Sequence, residues 1–314
     1  MWLLVGAIAL LASGATVGAT LLTRTDRGGA SVARPVTQKG APELDLDLGV
    51  RTDVEAVALR RAEMLYDKGQ RRRSGAIFAR YQSLGAMIGA ALAAWPDGFD
   101  RLAGLAHGHP RSALAQLELG LAFFWQGRLQ QAQEAWRKAR KLEPDSSYAV
   151  RAEDLLYPRY FTGHPPFSPS FASPPELATM SPPEQLAFLA RRARGSDAHA
   201  KLLYGAALQK LGRPLLAERE FAAAAALAPN DPDARVAAAV GLFDKARPSL
   251  AFSKLGPLVR TFPHAVTVRF HLGLMLLWLG QAQAGKAQLD RVVAAGPTPF
   301  RAPAQLLLSR IPAK

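Results

Sequence analysis

Residues 113–146 read ALAQLELGLAFFWQGRLQQAQEAWRKARKLEPDS, and their alternation of small and bulky positions specifies a helix, a turn and a second helix. Gly120 and Ala132 are small where two antiparallel helices cross closely, while Phe123 and Trp136 fill the space between them, and Leu119 and Ala139 recur in the same register. Gly127 supplies the turn. Pro144 stops the second helix, because its ring removes a donor and clashes with the preceding turn.

The same scheme recurs at a fixed interval. Pro110 and Pro144 are 34 residues apart, as are Pro229, Pro263 and Pro297, and Gly205 and Gly273 stand at twice that interval. Residues 198–231 keep Tyr204, Gly205, Leu208, Gly212, Ala217, Phe221, Ala224 and Pro229. Residues 232–265 keep Ala239, Leu242, Ala251, Leu255 and Pro263 without the glycine. Residues 266–299 keep Leu272, Gly273, Leu276, Gly280, Leu289 and Pro297, with Gly285 in place of the alanine. A weaker copy spans 79–112, where Ala86, Leu102, Leu105 and Pro110 are in phase and Pro96 and Gly98 interrupt the helices. These residues resemble the tetratricopeptide repeat family over about two thirds of the chain. The resemblance implies an all-α solenoid of helix-turn-helix pairs that binds other proteins on its inner face and supplies no chemistry of its own.

The phase breaks between Pro144 and Gly205. Residues 147–157 read as one further helix, and 182–194 as another opened by Ser181 at the N-cap and Pro182 at the first helical position. Between them, 158–183 carry Pro158, Pro165, Pro166, Pro169, Pro174, Pro175, Pro182 and Pro183 together with Tyr160, Phe161, Phe167 and Phe171. Flexible linkers rarely hold so many aromatic rings, so the stretch reads as an ordered loop packed on neighbouring helices, with a polyproline-type ligand as the competing reading. The resulting plan is an apolar segment at 1–22, a linker at 23–52, an irregular helical region with the weak copy at 53–112, and a repeat plus an extra helix at 113–157. The proline and aromatic loop at 158–183, repeats at 184–299 and a capping helix at 300–314 complete it.

From Trp2 to Leu22 there is no charged residue, a length that crosses a bilayer core as an N-terminal transmembrane helix. Arg24, Arg27, Arg34 and Lys39 follow, against Asp26 alone, which orients a single-pass anchor with the body on the cytoplasmic side. The competing reading is a signal cleaved near Ser13-Gly14-Ala15 after the run Leu3–Leu11, which exports the body. Gly14 and Gly18 form a small-xxx-small pair that allows a homodimer contact, a spacing that such runs also contain by chance. Residues 23–52, with Gly28, Gly29, Pro35, Gly40 and Pro42, show no apolar period and read as a linker without fixed fold.

The chain has 314 residues and no cysteine, which excludes disulfides, thiolate metal sites and cysteine nucleophiles. Its formal charge of +14 speaks to solubility and association rather than to a specific site. No recognition helix, zinc finger or paired-aromatic sheet signature accompanies the arginines, so nucleic acid is not an expected partner. The densest basic cluster, Arg71, Arg72 and Arg73 with Arg60, Arg61, Lys68 and Arg80, is tempered by Glu55, Glu63 and Asp67. It reads as a solvated helix end able to meet anionic lipid headgroups. Gly280 to Lys286 has the glycine and lysine spacing of a phosphate-binding loop, but Ala287 follows where the magnesium hydroxyl is needed. His107 and His109 have no third ligand in sequence, and His164, His199, His264 and His271 are scattered. No catalytic residue, metal or cofactor is expected.

In the family the resemblance points to, the second, fifth, ninth and twelfth positions of each first helix line the inner face. Here these are Leu114, Leu117, Leu121 and Phe124 in one repeat, Val236, Val240 and Phe243 in another, and Phe270, Leu274 and Leu277 in the last. His199, Gln209, Asp233 and Thr267 are the polar exceptions. Lysine, arginine and asparagine, which clamp a peptide's terminal carboxylate in some members, are largely missing. An apolar groove suits an amphipathic helix or an extended apolar peptide from a protein partner. The loop at 158–183, or the last helix around Leu306, Leu307 and Leu308, covers the same residues equally well on sequence grounds. The sequence therefore reads as a membrane-tethered interaction scaffold, with an exported accessory subunit of an envelope enzyme or assembly complex as the alternative. The charge-based orientation predicts that the body resists added protease in intact cells and is cut after permeabilisation; cutting in intact cells reverses it.

Overall fold

The computed structural model describes residues 40–311. The apolar run from Trp2 to Leu22, with its anchor, orientation and Gly14/Gly18 readings, lies outside the described residues. Among the described residues there are fifteen α-helices and no strand, and no helix is long and apolar enough to cross a membrane. They fall into two compact units that divide between Leu156 and Tyr157.

The first unit contains α1 (Val54–Asp67), α2 (Arg71–Phe78), α3 (Leu84–Ala93), α4 (Phe99–Gly108), α5 (Ala113–Trp125), α6 (Leu129–Leu142) and α7 (Ser147–Leu156). Asp53, Ser83 and Ser112 cap α1, α3 and α5 by accepting from a backbone N–H of the first turn, which satisfies donors that the helix cannot. Each helix packs on the next, and α1, α3, α5 and α7 also lie side by side as an inner layer. The interruption at Pro96 and Gly98 has a steric cause. A Cβ at Gly98 would stand 1.9 Å from the Ala91 carbonyl oxygen, so only glycine lets the chain turn back on α3.

The second unit contains α8 (Pro182–Ala193), α9 (Ala198–Lys210), α10 (Pro214–Leu227), α11 (Pro232–Gly241), α12 (Ser249–Thr261), α13 (Val266–Trp278), α14 (Ala282–Ala294) and α15 (Arg301–Ser309). Here α9, α11 and α13 are the inner neighbours, and α10, α12 and α14 pack behind them. Helix α8 opens on a capping box in which the Ser181 N–H and hydroxyl both donate to Glu184 Oε2. It precedes the repeat at 198–231. A short 3₁₀ turn, Pro175–Thr179, lies within the loop before it.

The repeat chemistry is visible in the turns and crossings. Gly127, Gly212 and Gly280 hold the same place between the two helices of their repeats and all have positive φ, at 76°, 65° and 72°. The repeat at 232–265 has Ala246 there and instead makes an irregular turn from Leu242 to Pro248. At the crossings, a Cβ on Gly120 would stand 2.5 Å from the Trp136 ring and one on Gly205 2.4 Å from the Phe221 ring.

One expectation is corrected. The end of the 23–52 linker is packed: Leu44, Leu46 and Leu48 are buried in the core of the first unit with Leu59, Tyr66, Phe78 and Leu114. Their alternation with Glu43, Asp45 and Asp47 gives an extended segment one apolar face, which a search for helical period misses. Gly205→Ala should destabilise the second unit by about 1–3 kcal/mol through overpacking. Gly104→Ala on α4, where nothing lies within 4 Å, should be neutral or stabilising by up to ~1 kcal/mol. Thermal midpoints of the two variants should move in opposite directions or differ clearly in size.

Candidate functional site

In each unit the inner helices hold an extended stretch of the chain itself. In the second unit this is FTGHPPFSPSF at 161–171, which lies along α9, α11 and α13. Pro165 and Pro166 predispose it to an extended course. The Phe167 N–H donates to Gln209 Oε1 on α9 at 2.8 Å, and the Ser168 N–H donates to His271 Nε2 on α13 at 3.0 Å. The Ser170 N–H and hydroxyl both donate to Asp233 Oδ2 on α11, each at 2.7 Å. Upstream, Lys245 Nζ donates to the Phe161 carbonyl at 2.6 Å and Trp278 Nε1 to the Gly163 carbonyl at 3.2 Å.

Rings fix the side chains as these bonds fix the main chain. Phe167 is buried, stacked on His271 at 5.2 Å and edge-on to Phe221 at 5.3 Å. Phe171 stacks on His199 at 4.1 Å, and His164 meets Phe243 edge-on at 5.6 Å. The tautomer of His271 follows from its partners. Nδ1 lies 2.8 Å from the Thr267 carbonyl, which can only accept, and Nε2 receives the Ser168 amide, which can only donate. The ring is therefore neutral with its proton on Nδ1, and burial pushes its pKa down to about 4.

In the first unit, residues 42–48 take the corresponding role on α1, α5 and α7. Tyr66 donates to the Pro42 carbonyl at 2.6 Å, Glu63 Oε1 accepts the Leu46 N–H at 2.8 Å, and the Tyr148 hydroxyl accepts the Asp47 N–H at 3.0 Å. Glu118 Oε1 accepts the Asp45 N–H at a longer 3.4 Å, and Arg151 pairs with Glu43. Burial raises the Glu63 carboxyl to about 7 and holds Glu118 well above the usual carboxylate range. Glu118 and His271 occupy the same place, the sixth residue of the repeats that open at Ala113 and Val266, and both are fully buried acceptors of an amide from the extended stretch.

The ten apolar positions expected to line a groove are buried or half-buried. Leu114 packs with Leu44, Leu46 and Leu48, whereas Leu117, Leu121 and Phe124 pack with Trp136 and other residues of α6 and α7. Val236, Val240, Phe243, Phe270, Leu274 and Leu277 share one cluster with Phe167 of the extended stretch at 161–171, a strap across these helices. Of the polar exceptions, His199, Gln209 and Asp233 touch the strap directly, and Thr267 orients His271. His271, Lys245, Trp278, Glu63, Glu118, Tyr66 and Tyr148 were not foreseen. The first-helix register names only four positions per repeat, and these residues fall at other positions or outside the repeats.

Arg71, Arg72 and Arg73 open α2. Arg71 donates to the Trp95 carbonyl at 2.8 Å, Arg73 donates to Gln70, and Arg72 and Arg73 are exposed. His107 and His109 stand at the end of α4, and among the described residues no group of three His, Cys, Asp or Glu could hold a metal. Gly280 makes a repeat turn, Gly285 packs against Leu277, and Lys286 pairs with Asp290 at 2.8 Å, all of which are repeat structure.

The His271 and Glu63 shifts make opposite contributions to the pH dependence of stability. An unfolded histidine titrates near 6.5 and folded His271 near 4, so the unfolded chain binds the extra proton between those values. The stability His271 contributes is full above pH 6.5 and falls as the pH drops towards 4, by about 2 kcal/mol at pH 5. Glu63 runs the other way: its contribution is full below about 4.5 and is lost as the pH rises through 7. Between pH 7 and 5 the His271 contribution to the second unit should therefore weaken, and in melts over that range His271→Gln should show a shallower loss than the unaltered chain. An unchanged loss in the variant contradicts the assignment.

The model of the tetratricopeptide repeat family matches residues 113–146. No curated protein matches the chain. Among solved structures, the chain is similar to YrrB, a tetratricopeptide repeat protein described with an unusual peptide-binding site, at 16% identity over 65% of this chain and 97% of that one, with a TM-score of 0.31. It is also similar to yeast Tom70, at 12% identity over 82% of this chain and 53% of that one with a TM-score of 0.32. A third is the TPR2AB domain of yeast Sti1 in its complex with pHSP90, at 11% identity over 81% of this chain and 97% of that one, with a TM-score of 0.30. The helix pair at 113–146 is the stretch that matches a tetratricopeptide repeat, and the described residues form an all-helical array of packed helices.

Proposed function

We propose that the chain is a protein-interaction scaffold that takes a partner segment on the inner face of its second unit, held at a membrane by Trp2–Leu22 with the body on the cytoplasmic side. The observation that carries this reading is the way α9, α11 and α13 treat residues 161–171. One side chain from each helix bonds the main chain of an extended segment, and the adjoining rings take its phenylalanines. That is the division of labour by which a groove holds peptides, with main-chain bonds giving affinity and pockets giving selectivity. The apolar run and the basic residues after it support the tether.

The test is site-specific photo-crosslinking in cells. A photoreactive residue at Ala172, exposed at the end of the inner segment, should give adducts of defined mass, and one at Ala287, exposed on α14, should not. No adduct from position 172, or the same labelling from both positions, contradicts the reading.

A further inference from the structure

We propose that residues 161–171 are a resident stand-in for the partner: the groove of α9, α11 and α13 recognises an extended peptide of the pattern Pro-Phe-Ser-x-Ser-Phe, which binds by displacing this strap. The inference rests on the scaffold reading above and names the ligand class of that site.

The groove's polar groups decide between the two ligand shapes that its apolar residues allow. Asp233 and His271 are 2% and 1% exposed, and both present acceptors to the strap. Buried acceptors that lose their donors carry the full cost of desolvation, so whatever replaces the strap must bring free N–H groups. An amphipathic helix cannot, because its amides beyond the first turn are already bonded internally. An extended main chain can, and at the spacing seen here: amides at positions 167, 168 and 170 reach Gln209, His271 and Asp233 in turn.

The side-chain requirements follow from the same contacts. The slot between His271 and Phe221 takes a ring, and the face of His199 takes another four residues on. Asp233 Oδ2 accepts from the hydroxyl just before the second ring, so that position wants a neutral serine or threonine and repels a phosphate or carboxylate. Proline before the first ring keeps the peptide extended at little entropic cost.

The strap is also built to leave. Phe161 is 50% exposed at one end, Ser170, Ala172 and Ser173 are exposed at the other, and no helix includes any residue from 161 to 171. Beyond Phe171 lies a cleft of about 460 Å³ lined by Phe171, Pro174, Leu189, Arg192, Asp197 and His199, which gives a competitor access to that end first. As a tethered segment, the strap competes at an effective concentration on the order of millimolar. A free peptide should therefore bind the intact chain weakly and the chain with a loosened strap well.

The experiment uses the full-length chain and a fluorescent peptide of sequence GHPPFSPSFAS, read by anisotropy. Phe167→Ala with Phe171→Ala in the strap should tighten peptide binding at least ~10-fold over the unaltered chain. Adding Asp233→Ala to that variant should reverse most of the gain, and a peptide with both phenylalanines changed to alanine, or with phosphoserine at the second serine, should not bind. Equal binding of the native and phenylalanine-free peptides by a helical, cooperatively melting strap variant overturns the proposal. A second measurement does not need the strap variant to fold. The chain has no cysteine, so Ala172→Cys gives a unique spin-label site. Excess native peptide should raise the label's mobility saturably, and an unchanged spectrum up to several millimolar peptide, on the scale of the tethered strap's own effective concentration, overturns the proposal. If both measurements fail while crosslinking at position 172 still yields defined adducts, the recognition rule is wrong and the scaffold reading stands; if the adducts are missing too, both fall.

Discussion

A buried acceptor on the inner face of a helical repeat needs a donor, and the amides of the neighbouring helices are already bonded within those helices. In this chain the main-chain donors come from segments without internal hydrogen bonds: the Asp45 amide reaches Glu118 in the first unit and the Ser168 amide reaches His271 in the second. In both units the chain meets that need with an extended stretch of itself, and the apolar residues beside the acceptors are buried as a consequence. The course of 42–48 and 161–171 thus follows from a few polar atoms and not from the apolar groove alone.

The same constraint explains why the two segments differ in composition. In the first unit the acceptors are two carboxyls and the Tyr148 hydroxyl, and the segment offers three leucines to the core while its acidic residues alternate with them. Burial keeps those groove carboxyls protonated to higher pH, which removes like-charge repulsion against the acidic segment. In the second unit the acceptors are an amide, an imidazole and a carboxylate, with aromatic faces between them, and the segment offers phenylalanines and serines. The polar residues on each inner face set which main chain fits, and the scaffold beneath them is shared.

The repeat was legible in the sequence because its constraints are local. Gly120 against Trp136 and Gly205 against Phe221 are contacts between helices joined by one short turn, so the small and large residues recur at a fixed offset. The proline and aromatic content of 158–183 pointed to packing, but not to which helices receive the rings, since those contacts span up to about a hundred residues, as from Ser168 to His271. Leu44, Leu46 and Leu48 were passed over because glycine and proline flank them and their period is two in a chain of helices. His199, Gln209 and Asp233 stood out as polar residues at groove positions, whereas His271 and Glu118, one place beyond the fifth position, carried no signal until their partners were seen.

Hydrogen exchange of the intact chain at neutral pH tests the central claim most directly, because the account rests on particular amides. The Phe167 and Ser168 amides, bonded to Gln209 and His271, should exchange far more slowly than those of an unstructured peptide of the same sequence. Exchange of both at the rate of an unstructured peptide would show that the inner face does not hold the segment and would contradict the account.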